Sequence, residues 1–134
     1  MKKFFPSTLI YISDSKITNA GRGVFAKSDI KKGDIIETCP VISVPPHDLA
    51  GLNQSILNTY FFYYGKNKNK LFVALGFGSI YNHAKTSNAK YKINSKENTI
   101  EFNALKNIKK DEEITVNYSN SIKKAKSPLW FEVK

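Results

Sequence analysis

Apolar and polar residues alternate in short runs along most of this chain, and turn-forming residues separate the runs, a pattern of strands more than helices. Leu9, Tyr11 and Ser13 alternate with Ile10 and Ile12 and predict a first strand. Asn19-Ala20-Gly21-Arg22-Gly23 reads as a turn, after which Val24-Phe25-Ala26 opens a second strand. The turn Lys31-Lys32-Gly33-Asp34 leads into Ile35-Ile36-Glu37-Thr38, a segment that Pro45-Pro46 stops. Leu49, Leu52 and Ile56 recur at helical spacing and predict a short helix over Asp48 to Leu57. The aromatic run Tyr60 to Tyr64, the turn Gly65 to Lys70 and the run Leu71 to Ala74 predict a hairpin. Gly76 and Gly78 then flank Phe77 ahead of Tyr81-Asn82-His83. Later strands are predicted over Ala89 to Ile93, Thr99 to Ala104 and Glu113 to Val116. The expected fold is mostly β, with small sheets and little helix.

Composition narrows the class. A chain of 134 residues fits one domain, 1–134. Hydrophobic content of 41% with 13% aromatics supplies a real core and argues against disorder. No apolar run approaches the roughly 20 residues of a membrane-spanning helix. Met1-Lys2-Lys3-Phe4-Phe5 imitates the opening of a signal peptide, but Pro6, Ser7 and Thr8 dilute it and no small-residue cleavage site precedes Asp14. The single cysteine, Cys39, has no internal partner, which fits a reducing compartment. The expectation is an intracellular protein, with no membrane partner. With His47 and His83 the only histidines, a Cys/His zinc site cannot be assembled, and no metal is expected.

Charge adds a second question. The net charge is +10, which suits a polyanionic partner. Twenty of the 21 basic residues are lysine and asparagine is abundant, which equally fits the codon bias of an AT-rich genome. The lone arginine, Arg22, stands out against that bias.

Three segments carry the chemistry. They are Gly21-Arg22-Gly23-Val24-Phe25-Ala26, then Gly78-Ser79-Ile80-Tyr81-Asn82-His83-Ala84-Lys85-Thr86-Ser87-Asn88-Ala89, then Ile108-Lys109-Lys110-Asp111-Glu112-Glu113-Ile114-Thr115-Val116-Asn117-Tyr118. Each alone is weak, since Gly-x-Gly is usually a turn and Asn a good cap or turn former. In this order the chain resembles the SET-domain methyltransferases, whose signature runs from Gly-x-Gly through Asn-His-Ser-x-x-Pro-Asn to Gly-Glu-Glu-Leu-Thr and a terminal Tyr. The run Ala74-Leu75-Gly76-Phe77-Gly78 brings it nearest to the minimal SET proteins of large algal viruses, which methylate histone tails. The resemblance spans about residues 9 to 131. It implies the β-clip of SET domains, made of small curved sheets with a knot-like C-terminal segment, a core at about 9–120 and a tail at 121–134. Viral relatives pair as dimers, so a homodimer is among the partners considered.

The resemblance also distributes roles. Gly21, Arg22 and Gly23 would hold the methionine part of S-adenosylmethionine, with Asn82 at its amino-acid end and His83 gripping adenine through its main chain. Tyr118 would be the catalytic tyrosine and Tyr60 a second wall of the lysine channel. Ala84 and Ser87 depart from the family's Ser and Pro, and Val116 stands where many members carry Phe or Tyr, leaving the number of methyl groups open. Glu112 and Glu113 read as a solvated turn, with Glu113 in reach of backbone or of the Asn-His loop. The family's cysteine-rich zinc segment is absent, and Leu129, Trp130 and Phe131 are the available apolar cover for the channel.

The function implied is transfer of a methyl group from S-adenosylmethionine to a protein lysine, a histone tail by analogy. Location would then be the nucleus if chromatin is the target and the cytoplasm otherwise. A basic enzyme repels a basic tail, so Asp111, Glu112 and Glu113 would line an acidic groove, or basic surface would hold nucleosomal DNA. Two rivals stand beside this reading. One is a small basic nucleic-acid-binding module, stacking bases on Tyr60 to Tyr64 while Lys66, Lys68 and Lys70 track phosphates. The other is a SET-like peptide reader without catalysis.

Overall fold

The computed structural model describes residues 3–64 and 70–118. Its strands are β1 (Ile10–Asp14), β2 (Arg22–Ala26), β3 (Ile35–Val44), β4 (Phe61–Tyr64), β5 (Lys70–Ala74), β6 (Asn82–His83), β7 (Ala89–Asn94), β8 (Thr99–Ala104) and β9 (Glu113–Val116). One helix, α1 (Leu49–Asn53), is flanked by short 3-10 turns. The strands form a four-stranded sheet in the order β1-β2-β9-β6 and a five-stranded sheet in the order β4-β5-β3-β8-β7. The mostly β expectation with small sheets holds.

The smaller sheet assembles distant sequence. β2 pairs antiparallel with β1 on one side and with β9 on the other, Val24 facing Ile114. β9 in turn pairs parallel with β6, Asn82 opposite Thr115 and His83 opposite Val116. The last described strand therefore lies between β2 and β6. An isolated bridge between Ile30 and Ile108 clamps the two turns beside it.

One apolar core lies under both sheets, built from inward positions such as Val24, Ile36, Ile100, Phe102, Ile114 and Val116. A smaller cluster, Leu52, Phe61 and Leu71, packs beneath α1.

Three departures from the sequence reading have physical causes. The helix predicted over Asp48 to Leu57 is broken into a 3-10 turn at Pro46–Asp48, α1, and a second 3-10 turn at Ile56–Thr59. Ser55 causes the break: its hydroxyl accepts from Leu57 N at 3.1 Å and offers the backbone an alternative to helix. The third apolar position, Ile56, is consequently 84% exposed. Second, the strand that opens at Ile35 ends before Pro45-Pro46 as expected, but it passes through Pro40 on the way to Val44. Proline is tolerated there because β3 changes partner at that point, pairing with β8 up to Pro40 and with β5 from Val41. Third, a register shift between Ile35 and Glu37 turns Ile35 outward, at 53% exposed, and Glu37 inward, at 7%.

No helix among the described residues is long and apolar enough to cross a membrane. Residues 65–69 of the predicted turn, including Lys66 and Lys68, lie outside the described residues, as does the C-terminal tail with Leu129, Trp130 and Phe131.

Candidate active site

The pairing of β6 with β9 and of β9 with β2 draws the three motifs into one place. Asn82, almost fully buried, donates from Nδ2 to the Arg22 main-chain oxygen at 2.9 Å and to Glu113 Oε2 at 3.0 Å. One amide thus ties the Gly-x-Gly turn, the Asn-His strand and the acidic strand together. The Glu113 carboxylate also accepts from Ser15 Oγ at 2.8 Å and from Lys16 N at 3.0 Å. Gly23 makes this junction sterically feasible, since a Cβ there would overlap the Glu113 carboxylate and sit 3.1 Å from Asn82 Nδ2.

Asn88 repeats the pattern one turn on. Its Nδ2 donates to the Glu113 main-chain oxygen at 2.8 Å, and its Oδ1 accepts from Thr115 N at 2.9 Å. Asp111 accepts from Tyr11 Oη, and Glu112 accepts from Asn88 Nδ2 and Lys109 N. The three carboxylates proposed as an acidic groove are thus engaged by the fold's own donors, Glu113 most of all.

His83 and Tyr118 meet across β6 and the end of β9. Tyr118 N donates to His83 Nδ1 at 2.9 Å, which makes that nitrogen an acceptor and places the ring proton on Nε2. The rings lie 4.9 Å apart between centroids. The Tyr118 hydroxyl donates to the Tyr81 main-chain oxygen at 2.6 Å. Burial pushes the Tyr118 phenol well above its ordinary value, and neighbouring Tyr60, Tyr91 and Glu113 add to the rise. Tyr118 is a neutral, fixed phenol at neutral pH.

Two adjoining clefts open at this point. The first, of about 50 Å³, is lined by Ala20, Arg22, Tyr60, Ser79, Ile80, Asn82 and Tyr118. The second is a slot of about 10 Å³, lined by Tyr60, Phe62, Gly78, Ser79, Tyr81, Val116 and Tyr118. The two share Tyr60, Ser79 and Tyr118. In the first, Asn82 Oδ1 accepts from no described residue, so an acceptor remains beside the Arg22 turn for an incoming ammonium or hydroxyl. The slot is walled mostly by apolar side chains and phenols, and its volume is about that of one water. A larger concavity of about 530 Å³, between residues 3–9 and β3, β7 and β8, holds none of these residues.

Of the residues singled out in the sequence, Arg22, Asn82, Tyr60 and Tyr118 line the clefts, and Gly23 and His83 stand directly behind them. Gly21 sits at the head of the same turn with φ +75°, and a Cβ there would meet nothing within 4 Å. Ser15 and Glu37 lie outside the three segments, and Ser79 and Tyr81 lie within the second, where no role was given to them. The base-stacking role of Tyr60 to Tyr64 is not supported, because Phe61 and Phe62 are buried and Tyr63 and Tyr64 half-buried, with Tyr63 edge-on to Phe61. Among the described residues no group of His, Cys, Asp and Glu is arranged to hold a metal ion.

Burial has a measurable consequence at high pH. Tyr118 and Tyr81 are raised above the ordinary phenol value of 10.0, and Cys39 above the ordinary thiol value of 9.0, with burial the first cause in each. The unfolded chain releases these protons first, so it binds fewer than the native state and stability falls as pH rises. Thermal melts should be flat up to about pH 9 and then fall, by about 1.4 kcal/mol per pH unit for each group released. Tyr118→Phe should make the decline shallower; an unchanged slope would contradict the assignment.

Comparison with known proteins agrees with the geometry. Residues 21–119 match the SET domain family. The chain is 34% identical over 113 residues, 84% of its length, to the Schizosaccharomyces pombe histone-lysine N-methyltransferase specific for H3 lysine-37, covering 71% of that protein. It superposes with TM-score 0.65 and 33% identity on a crystal structure from Plasmodium falciparum described as a histone methyltransferase, covering 87% of this chain and 96% of that one. An S-adenosylmethionine-bound, autoinhibited Polycomb Repressive Complex 2 from Chaetomium thermophilum superposes at TM-score 0.73. At 21% identity, and with 88% of this chain over 16% of that one, that likeness concerns the fold. Order of motifs, strand pairing and likeness converge: the chain belongs to the SET domain family.

Proposed function

We propose that this chain transfers a methyl group from S-adenosylmethionine to the side-chain amine of a protein lysine. The observation that carries the reading is the pair of clefts meeting at Tyr60, Ser79 and Tyr118. Donor and acceptor enter from different sides and share only that meeting point. The wider cleft takes the donor's amino-acid end, with Asn82 Oδ1 accepting from its ammonium and the backbone of Gly21-Arg22-Gly23 alongside. His83 holds β9 in place through Tyr118 N and lends its main chain to the adenine side. When bound, the sulfonium supplies an already electrophilic methyl, so no metal or covalent enzyme intermediate is needed.

The chain's task is alignment and dehydration. The slot's Phe62 and Val116 disfavour an ammonium, so a lysine would leave its proton with solvent on entry and would present a neutral amine, lone pair foremost, towards the donor's methyl. Tyr60 and Tyr118 close around the amine from two sides. The Tyr81 main-chain oxygen, already accepting from Tyr118, retains a lone pair for a weak C–H···O contact to the methyl. Positioning of this kind supplies roughly 7–11 kcal/mol in ideal cases.

The favoured substrate is a histone tail, which both the yeast and Plasmodium relatives' descriptions support. A net charge of +10 opposes a free basic tail, so nucleosomal DNA is the second partner we propose. Lys32, Lys90 and Lys92 line one open concavity beside β7 and β8, with Glu101 the single carboxylate in its lining. This reading places the protein at chromatin. The run Ala74 to Gly78 supports kinship with the minimal viral members, in which pairing of two copies would be the next property to examine.

Labelled S-adenosylmethionine with core histones, nucleosomes and lysate tests the proposal. Label on a lysine, stronger on nucleosomes and weakening with salt, is the expected result. Donor binding with no label on any protein would instead mark a reader without catalysis.

A further inference from the structure

We infer that Glu37 and Tyr81 form a buried positioning pair that sets the acceptor side of this site through the main chain of loop 76–81. The inference rests on the methyl-transfer reading above. Glu37 belongs to none of the three motifs, and β3 contributes no residue to either cleft. A bulge nevertheless turns its carboxylate into the core, where two donors meet it. Phe77 N donates to Oε2 at 2.9 Å, and Tyr81 Oη donates to Oε1 at 2.8 Å. One carboxylate therefore grips the loop at both ends of the stretch that carries Gly78, Ser79 and Ile80 to the clefts.

The close approach is built in. Gly76 has φ +62°, and a Cβ there would come within 2.6 Å of Glu37 Oε2. Gly78 likewise leaves room, since its Cβ would sit 3.0 Å from Cys39 Sγ, two residues along β3 from Glu37. The Tyr81 ring is held on its face as well, stacked on Phe102 with centroids 4.2 Å apart and planes 17° from parallel. With its ring pinned by Phe102 and its hydroxyl by Glu37, Tyr81 has a fixed main-chain direction. That direction decides where its carbonyl points, and the carbonyl is the acceptor for the Tyr118 hydroxyl. The chain of contacts runs Glu37, Tyr81 hydroxyl, Tyr81 carbonyl, Tyr118 hydroxyl. Tyr81 thus uses its side chain to hold a backbone atom at the reacting centre, and Glu37 holds the side chain.

Two variants separate positioning from plain packing. Tyr81→Phe removes one hydroxyl and keeps the ring stacked on Phe102. Glu37→Gln keeps an acceptor for Phe77 N, and its amide can donate to the Tyr81 hydroxyl, so the grip persists. Steady-state kinetics should show kcat falling about tenfold or more in Tyr81→Phe, with KM for S-adenosylmethionine within about twofold, since small misplacements at a reacting centre are costly. Mass spectrometry should show an altered ratio of mono- to higher-methylated lysine, and Glu37→Gln should recover most of kcat. Parental kcat and product ratio in Tyr81→Phe would overturn the inference. So would a loss confined to melting temperature, or one in which donor KM and kcat change together. An unaltered protein that methylates nothing would remove the methyl-transfer reading and this inference with it.

Discussion

Tyr118→Phe should cut methyl transfer about 10²-fold or more while leaving S-adenosylmethionine affinity within about threefold, the range seen when one preorganised hydrogen-bonding group is removed from a reacting centre. The reason lies in where the hydroxyl sits. It is buried, neutral and fixed by its proton to the Tyr81 carbonyl, which on the methyl-transfer reading holds it at the mouth of the acceptor slot. Phenylalanine keeps the ring against His83 and the backbone bond from residue 118 to Nδ1, so the donor side should survive. The Tyr81 carbonyl loses its donor, costing about 1 kcal/mol of stability. Donor binding by calorimetry and single-turnover label transfer check this, and undiminished transfer would remove Tyr118 from the chemistry.

Glu113→Ala should be the most damaging change to the fold near the site. Its carboxylate is the shared acceptor for Ser15 Oγ, Lys16 N and Asn82 Nδ2, groups drawn from three parts of the chain. Deleting it leaves all three short of a partner, for an expected loss of about 3 kcal/mol in chemical denaturation after allowing for partial exposure. Donor affinity should fall by about tenfold or more, because Asn82 loses the group that aims its amide. Glu113→Gln should restore only part, since an amide has one acceptor oxygen where Asn82 Nδ2 and Lys16 N now use one each. Glu112→Ala, which loses the Asn88 and Lys109 contacts at an exposed position, should cost far less. Equal losses for the two would mean that Glu113 is not the junction.

Much of this arrangement was readable before any coordinates. Apolar or alternating runs bounded by turn residues placed β1, β2, β4, β5, β7, β8 and β9 within a residue or two. The order of the three motifs pointed to one site, and the pairing of β9 with both β2 and β6 supplies the reason. What escaped has a physical pattern. β6 is only Asn82–His83 and exists through its parallel pairing with Thr115 and Val116, so two residues carry no period to detect. Glu37 sits in a strand where simple alternation would not predict a buried carboxylate, and the shift beside Ile35 reverses the sides. Ser15 is one of a run of polar residues at the end of β1, and it stands out only once Glu113 is known to lie next to it. The helix failed because spacing of Leu49, Leu52 and Ile56 ignored the competing hydroxyl of Ser55.

The place of β9 between β2 and β6 has a consequence for biosynthesis. Until residues 113–118 leave the ribosome, β2 presents an unpaired edge, Asn82 lacks Glu113, and His83 lacks the Tyr118 amide. A nascent chain shorter than that lacks the junction at Asn82, however well its larger sheet has formed. Closure also joins residues far apart in sequence, a kind of contact that forms late and slowly. The junction around Asn82 and Tyr118 therefore forms only once this segment is present, and a chain that stops before it keeps the β2 edge open, the kind of edge that invites aggregation.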